Sequence, residues 1–518
     1  MEKISFTPDV VLSVLKGLKS SCSSGPDGIP NIILKRCAHG LVAPLCHIFD
    51  MSLKMRRLPT NWKIACVSPI HKKGPTSWPS NYRPISLTST CCRVMEKVIT
   101  KNILTYLSTH NLISHHQHGF LRHKSTCTNL LECVYDWSSS LENCERTDII
   151  YFDFQKAFDS VSHTKLMTKL KGYGISGDLL AWIFDFLSAR TQFVRVNGHH
   201  SGPREVTSGV PQGSVLGPIL FLIYINDITD NPAFEQVSVK LFADDIKIYK
   251  TFQPGNLAMQ DAVDELVSWS GIWQLNLALT KCFVCSIYGL ASKELDVPNY
   301  HIDSHQLEIV GHARDLGVVI ENDLKFKKHI NSIVDAASVR LRLINLCFTT
   351  KDPDLLTRAF SVYVRPLLEY CSSVWNPHHR HLIDRLERVQ RRFTRTIPSV
   401  SRLPYLTRLN ILGLKSLEHR RLIADLCLCY KILNGLIDST LVTSFESSGY
   451  QATRGHCYKL RSGLHKIDAT KFFFSNRIIK SWNALPHDVV NSTSYSRFRC
   501  LINETVLSKF LTPNEYNG

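Results

Sequence analysis

Apolar positions along this chain follow two periods, and the period changes from segment to segment. At Val94, Met95, Val98, Ile99, Ile103 and Leu107 the spacing is helical, which predicts an amphipathic helix over Arg93–Leu107. Before it, residues 1–60 mix short amphipathic helical stretches with the loop Ser23-Ser24-Gly25-Pro26-Asp27-Gly28, whose Gly-Pro and Asp-Gly pairs mark turns. From Trp62 to Arg83 the pattern predicts a strand through Ala65-Cys66-Val67-Ser68-Pro69-Ile70, a basic turn at His71-Lys72-Lys73-Gly74, and an extended return closed by Asn81-Tyr82-Arg83-Pro84.

The central third has strand character. Asp148-Ile149-Ile150-Tyr151-Phe152-Asp153-Phe154 is a β-branched and aromatic run of the kind that makes a buried strand, and helical periodicity follows from about Thr164. Val237, Val239 and Leu241 alternate with polar residues, and the alternation resumes at Ile246 and Ile248, so two strands joined at an Asp-Asp turn are expected. Beyond about residue 330 the pattern is mostly helical. From Arg380 to Arg408 there are eight arginines against only Asp384 and Glu387, with Leu382, Ile383, Leu386, Val389, Gln390 and Phe393 at helical intervals. From about 431 short helical and loop signals alternate without resolving into clear elements.

Composition narrows the classes. Of 518 residues 44% are hydrophobic and 20% charged, a globular balance that excludes disorder throughout. The longest apolar run, Val215 to Ile225, contains Gly217 and Pro218 and is far shorter than the roughly 18–20 residues of a spanning helix, so no membrane association is expected. MEKISFTPDV lacks a basic region followed by an apolar stretch, which argues against a signal peptide and for an intracellular location. Seventeen irregularly spaced cysteines then read as reduced thiols. The net charge of +17 suggests a polyanionic partner, most commonly nucleic acid.

Two carboxylate positions each sit where an apolar strand ends: Asp153, and the pair Asp244-Asp245. Hard divalent cations take oxygen ligands, and two of them about 3.5–4 Å apart can serve an in-line phosphoryl displacement. If the Asp148–Phe154 strand lies beside the 237–249 hairpin, Asp153 and Asp244 converge on one point. Acidic pairs also decorate ordinary turns. The apolar flanks argue against that here, because a paired acid on a buried hairpin costs several kcal/mol unless a cation compensates.

Phe242-Ala243-Asp244-Asp245, preceded by Phe152-Asp153-Phe154-Gln155-Lys156-Ala157-Phe158-Asp159-Ser160-Val161 and by Ser208-Gly209-Val210-Pro211-Gln212-Gly213-Ser214-Val215-Leu216-Gly217-Pro218, resembles the motif series of non-LTR retrotransposon reverse transcriptases, especially those of jockey and CR1-like elements. Pro69–Gly74 with Tyr82–Leu87, His118-Gly119-Phe120, Asn276–Cys282, Leu316-Gly317-Val318, Arg365–Tyr370 with Trp375, and Ser481–Pro486 fit the same series, so the resemblance spans nearly the whole chain. It implies an α+β, right-hand polymerase: a lead at 1–59, fingers at 60–145, a palm with an antiparallel sheet at 146–310, a palm–thumb junction and helical thumb at 311–430, and a mainly helical C-terminal region of unassigned role at 431–518. The implied activity is RNA-directed DNA synthesis from a primer 3′-hydroxyl and dNTPs, with an RNA template, a DNA primer and an RNA–DNA hybrid as partners. Two Mg²⁺ ions are expected, with Mn²⁺ a possible substitute. No protein partner can be foreseen, and the nucleus is the location expected of the family.

Residue roles follow from the same resemblance. Asp153 and Asp244 would bind both metals, with the Phe154 carbonyl as a further ligand and Asp245 as a supporting carboxylate. Phe158 would lie under the incoming sugar and exclude a 2′-hydroxyl. Gln212 and Gly213 would contact nucleotide and template, and Lys72 and Arg83 would hold the triphosphate. Lys281 stands where such polymerases carry a lysine suited to protonating the leaving pyrophosphate. The arginine-rich helix would track duplex phosphates with strongly salt-dependent affinity.

Other readings weigh less. Gly172-Tyr173-Gly174-Ile175-Ser176-Gly177 matches a dinucleotide fingerprint but follows a helical stretch, so a helix C-cap and turn is expected. Cys282, Cys285, His301 and His305 have zinc-finger spacing, yet Pro298 and the alternation at Ile302, Leu307 and Ile309 suggest strands where a finger's helix belongs. His115-His116-His118 and His378-His379-His381 read as solvated turns. A catalytically idle or domesticated nucleic-acid-binding protein is the alternative function, disfavoured by the complete set of candidate residues. RNA-templated RNA synthesis is disfavoured by Ala243 where Gly-Asp-Asp is usual and by the aromatic Phe158. With fingers beginning so early and no nuclease block recognised, no endonuclease activity is expected of this chain.

Overall fold

The computed structural model describes all residues of the chain except 2–3, 254, 290–297, 447–455, 457, 462 and 512–518. Its organising element is a five-stranded sheet ordered Glu308–Val310, Phe283–Ile287, Thr147–Phe152, Asp245–Thr251, Ser238–Phe242. The middle strand, Thr147–Phe152, is antiparallel to both neighbours, and all six of its residues are buried. Alternation along the strands explains why. Ile150 and Phe152 join Ile246, Ile248 and Val284 in one core, whereas Ile149 and Tyr151 join Tyr249, Cys285 and Ile287 in another. Both faces are therefore covered, as the unbroken apolar run predicts.

The first core takes in the helices Pro8–Lys16, Ala38–Lys54, Thr90–Thr109 and Gly217–Ile225. The second takes in Thr126–Glu142 and the helical region after Lys327, including Arg380–Arg395, Leu417–Leu433 and Tyr495–Glu504. The helix expected over Arg93–Leu107 is Thr90–Thr109, with all six periodic apolar positions buried and Ser89 Oγ accepting the Cys92 N–H at 3.3 Å. The longest apolar run forms Gly217–Ile225, apolar all round and buried on every side. No helix among the described residues is long and apolar enough to cross a membrane.

A second sheet carries the basic hairpin. Ile64–His71 pairs antiparallel with Tyr82–Leu87, placing Ile70 opposite Arg83, and pairs in parallel with Arg190–Val196. The dinucleotide-like glycines end one helix at Gly172 and begin the next at Gly177, with Gly174 at φ +78° in the turn between. This matches the expected C-cap.

Two expectations need correction. The hairpin turn is Ala243-Asp244, because Phe242 pairs with Asp245, which already belongs to the second strand. The arginine-rich stretch is not one helix: it ends at Arg395, since Pro398 disfavours helical backbone at Ile397, and Arg408 lies buried in a separate short helix, Tyr405–Ile411.

Glu96 couples the first core to the loop that precedes Gly217–Ile225. Fully buried in Thr90–Thr109, it accepts the Val215 and Leu216 N–H groups at 2.7 and 2.9 Å through one oxygen, and burial raises its carboxyl above the ordinary range. Glu96→Ala should cost about 2–4 kcal/mol in urea unfolding by stranding two buried donors, and Glu96→Gln, which keeps an acceptor, clearly less. Equal losses for both would contradict this anchoring role.

Candidate active site

Asp153 is the first residue past the middle strand. Beyond it the chain bridges the segment before Phe283–Ile287: Ala278 N–H donates to the Asp153 carbonyl at 2.7 Å and Gln155 N–H to the Asn276 carbonyl at 2.8 Å. The Phe154 carbonyl is left outside this bridge. In the neighbouring pair Phe152 lies opposite Ile246, so continuing the register puts Asp153 level with Asp245, beside Asp244 in the turn. The three candidate carboxylates thus meet at one end of the sheet.

Ala243 makes this turn at φ +57°, a conformation costing roughly 1–2 kcal/mol without glycine. A clamp holds it there. The buried Gln117 Oε1 accepts both the Ala243 N–H at 2.9 Å and the Gly119 N–H at 2.7 Å. His118 N–H donates to the Leu241 carbonyl at 2.9 Å, and Leu241 N–H to the His116 carbonyl at 3.0 Å. A Cβ on Gly119 would stand 2.4 Å from the Ala243 nitrogen, so only glycine fits this approach. The block His118-Gly119-Phe120 is therefore a lock on the aspartate turn.

Of the histidines expected in solvated turns here, His115 is exposed, but His116 and His118 are not solvated. His118 is buried with Nε2 3.4 Å from Glu132, and His116 bonds the Val239 carbonyl through Nδ1 at 3.0 Å. Burial, with His115 beside it, pushes His116 down to about 4. Glu132 also pairs with Lys240 and accepts from Ser439 Oγ at 2.7 Å, tying the C-terminal region to the hairpin. Burial opposes its ionisation, but the His118 hydrogen bond and the Lys240 charge outweigh this and hold the carboxyl below its usual range. Gln117 and Glu132 escape a reading of the sequence. Only the adjacency of Gln117 to His118-Gly119 hints at its part.

The acidic centre is electrostatically strained. Burial, then the negative charge of Asp153, raise Asp244, while Arg83 and Lys72 pull it back. Lys72, one residue beyond the strand Ile64–His71, and Arg83, within Tyr82–Leu87, thus lie near enough for their charges to act on Asp244. Asp245 keeps solvent contact, yet desolvation in the concave site and the charges of Asp244, Asp315 and Asp153 push it up to about 6, with Lys247 opposing. Asp315 was not foreseen; it forms a buried pair with Lys247 at 2.5 Å just behind the centre. Lys281 Nζ bonds Asp153 Oδ1 at 2.8 Å.

The remaining candidates line the approach. Phe158 stacks on Phe221 at 4.4 Å and meets Phe120 edge-on at 6.3 Å. Gln212 donates through Nε2 to Asp159 Oδ1 at 2.9 Å, and Val210 N–H to the Phe158 carbonyl at 2.8 Å, so the 208–218 loop is zipped along Phe158–Val161. Gly213 has φ +119° and lies where a Cβ would be 2.4 Å from the Ser86 carbonyl oxygen, joining the loop to the basic hairpin. Cys282, Cys285, His301 and His305 do not assemble: Cys285 is buried in a strand and the histidines lie in a two-residue hairpin, so no such metal group forms among the described residues.

Residues 70–314 match the family described as reverse transcriptase (RNA-dependent DNA polymerase), the segment that holds nearly all of these side chains. The chain thus carries a segment, just under half of its length, that matches reverse transcriptases. Its similarity runs to the polymerases of non-LTR mobile elements. It is 26% identical over 409 residues to a probable RNA-directed DNA polymerase from transposon BS of Drosophila melanogaster, covering 75% of this chain and 44% of the relative. It is 25% identical over 414 residues to the RNA-directed DNA polymerase from mobile element jockey of the same organism, covering 78% and 44%. A Pol polyprotein from a type-1 R2 element of Popillia japonica is 30% identical over 209 residues, 38% of this chain and 29% of the relative. The chain thus spans under half the length of these relatives.

A carboxyl raised in the fold makes the protein less stable wherever it is ionised. For Asp245 that penalty is absent below its ordinary value of 3.8, grows as pH rises toward about 6, and is complete above it. Asp245→Asn should therefore raise the melting temperature of the metal-free protein at pH 7.5 and leave it nearly unchanged at pH 4. A gain of equal size at both values would refute the assignment of strain to this group.

Proposed function

We propose that this chain is an RNA-directed DNA polymerase that extends a primer 3′-hydroxyl with dNTPs on an RNA template by two-metal-ion catalysis. The observation that carries the reading is the meeting of Asp153, Asp244 and Asp245 at one end of the sheet, with Arg83 and Lys72 near enough for their charges to act on Asp244. On this reading residues 60–145 are fingers, 146–310 a palm, and 311–430 the junction and thumb of a right-handed polymerase. Residues 1–59 lead into the fingers.

The donor set suits hard divalent cations. Three carboxylates and an unbridged carbonyl supply oxygen ligands, and their mutual repulsion is what bound cations would relieve. Asp153, Asp244 and the Phe154 carbonyl would hold two Mg²⁺, or Mn²⁺ in their place, with Asp245 supporting. Once bound, the ions would supply charge that favours ionisation of the attacking hydroxyl and departure of pyrophosphate.

The chain's own groups do the rest. Arg83, with its planar fork, and Lys72, a mobile point charge, hold the triphosphate and orient the α-phosphorus for in-line attack. Phe158 cannot retreat, because Phe221 backs it face to face, so a ribose 2′-hydroxyl meets a fixed ring. Gln212, held by Asp159, and Gly213, close to the hairpin backbone, contact nucleotide and template. Lys281, which bonds Asp153 through Nζ, would turn from it toward the leaving pyrophosphate and give that group its Nζ proton.

The arginine-rich helix supports duplex binding. Its apolar positions are buried, while His381, Arg385, Arg388, Arg392 and Arg395 follow a 4-3-4-3 spacing along the accessible side, with Arg388, Arg392 and Arg395 exposed. A stripe of this kind reads backbone charge and shape rather than sequence, as an RNA–DNA hybrid requires.

Primer extension on an RNA template tests the proposal. The wild-type chain should incorporate dNTPs in the presence of Mg²⁺, and Asp244→Asn should lose at least about 1,000-fold, equivalent to about 4 kcal/mol of transition-state stabilisation. Undiminished extension by Asp244→Asn would overturn the metal assignment. Template–primer binding without any extension by the wild type would instead support the idle binder.

A further inference from the structure

The second core carries a cluster of metal-ligating side chains that the proposed polymerase chemistry does not use. His378 and His379 immediately precede the arginine-rich helix, and Asp468 opens the short helix Asp468–Lys471 of the C-terminal region. A ring nitrogen from each histidine and a carboxylate oxygen all lie within 4.8 Å of one another. The rings of His378 and His379 are 4.0 Å apart between centroids. His378 stacks flat on Phe472, at 4.0 Å and 3°, which fixes its ring plane. Its Nε2 is buried and makes no hydrogen bond; Asp468 Oδ2 stands 3.5 Å away without hydrogen-bond geometry. The cluster opens onto a cleft of about 480 Å³.

Hydrogen bonding leaves this arrangement incomplete. At 3.5 Å Asp468 is a long partner for a buried ring nitrogen, which is ordinarily satisfied at about 2.7–3.2 Å, and a cation between the two would satisfy both. Two imidazoles and a carboxylate form a borderline donor set, suited to Zn²⁺ and its first-row neighbours and poorly suited to Mg²⁺. Tetrahedral coordination at about 2.0–2.1 Å needs ligand atoms closer than 4.8 Å, a contraction that side-chain rotation of the half-exposed Asp468 and of His379 can provide. The open cleft leaves a fourth position for water.

We propose that His378, His379 and Asp468 form a zinc-class site that staples the C-terminal region to the start of the arginine-rich helix. The site is distinct from the Mg²⁺ centre in donor chemistry and in the elements that form it. It stands whether or not the chain polymerises DNA.

Equilibrium dialysis of the full chain against Zn²⁺, with elemental analysis, and Co²⁺ titration followed by visible absorption test it. One equivalent should bind, and Zn²⁺ should raise the melting temperature. Asp468→Asn, at a largely exposed position, should weaken binding at least tenfold, and a His378→Ala/His379→Ala double variant should abolish it. Cys282→Ser/Cys285→Ser should leave it intact. Absence of stoichiometric metal, or binding undiminished in Asp468→Asn, would overturn the proposal even if the double variant fails to fold. Loss of the metal in the cysteine variant would overturn it in favour of the zinc-finger spacing.

Discussion

Three carboxylates do not share a concave, partly dehydrated space unless the backbone denies them room to separate. Everything else in the first core serves that constraint. Sheet register sets Asp153 level with Asp245, the turn puts Asp244 beside them, and Gln117 with Gly119 grips the strained Ala243 so that the turn cannot relax. The repulsion is written into the raised values of Asp244 and Asp245. Its compensation comes from outside the sheet: Lys281 on Asp153, and Arg83 and Lys72 from the basic hairpin. Mutual repulsion of this kind costs the fold stability, and on the proposed function it is what bound cations would relieve.

The same logic accounts for the loop at 208–218. It is held at three points, by Glu96 in a core helix, by Asp159 and the backbone after Phe158, and by the hairpin at Ser86. A nucleotide-contacting segment fixed in this way keeps Gln212 and Phe158 in one frame with the aspartates. The net charge of +17 conceals this polarity: an acidic point with cations near it, and a separate arginine stripe on the Arg380–Arg395 helix.

How much of this was legible in the sequence follows from what is local and what is not. The buried strand at 147–152, the aspartate hairpin and the Thr90–Thr109 helix each announce themselves through period and turn residues, and the motif order brings Asp153, Asp244 and Asp245 forward together. Gln117, Glu132 and Asp315 have no such mark, because their importance lies in partners far along the chain. His118 looked solvated since its neighbours are polar, and only the fold reveals Glu132 against it. The arginine-rich stretch looked continuous since arginine spacing says nothing of Pro398. Similarity to mobile-element polymerases, over less than half their length, assigns none of these supporting contacts.

The central claim, that the sheet end is a cation site built from mutually repelling carboxylates, is met most directly by Mn²⁺ titration of the full chain monitored by electron paramagnetic resonance. The account predicts Mn²⁺ binding at pH 7.5 that weakens as pH falls through about 6, where Asp245 takes up a proton, and that is lost when Asp153 and Asp244 are both replaced by Asn. Mn²⁺ affinity indifferent to pH and to those two replacements would contradict it.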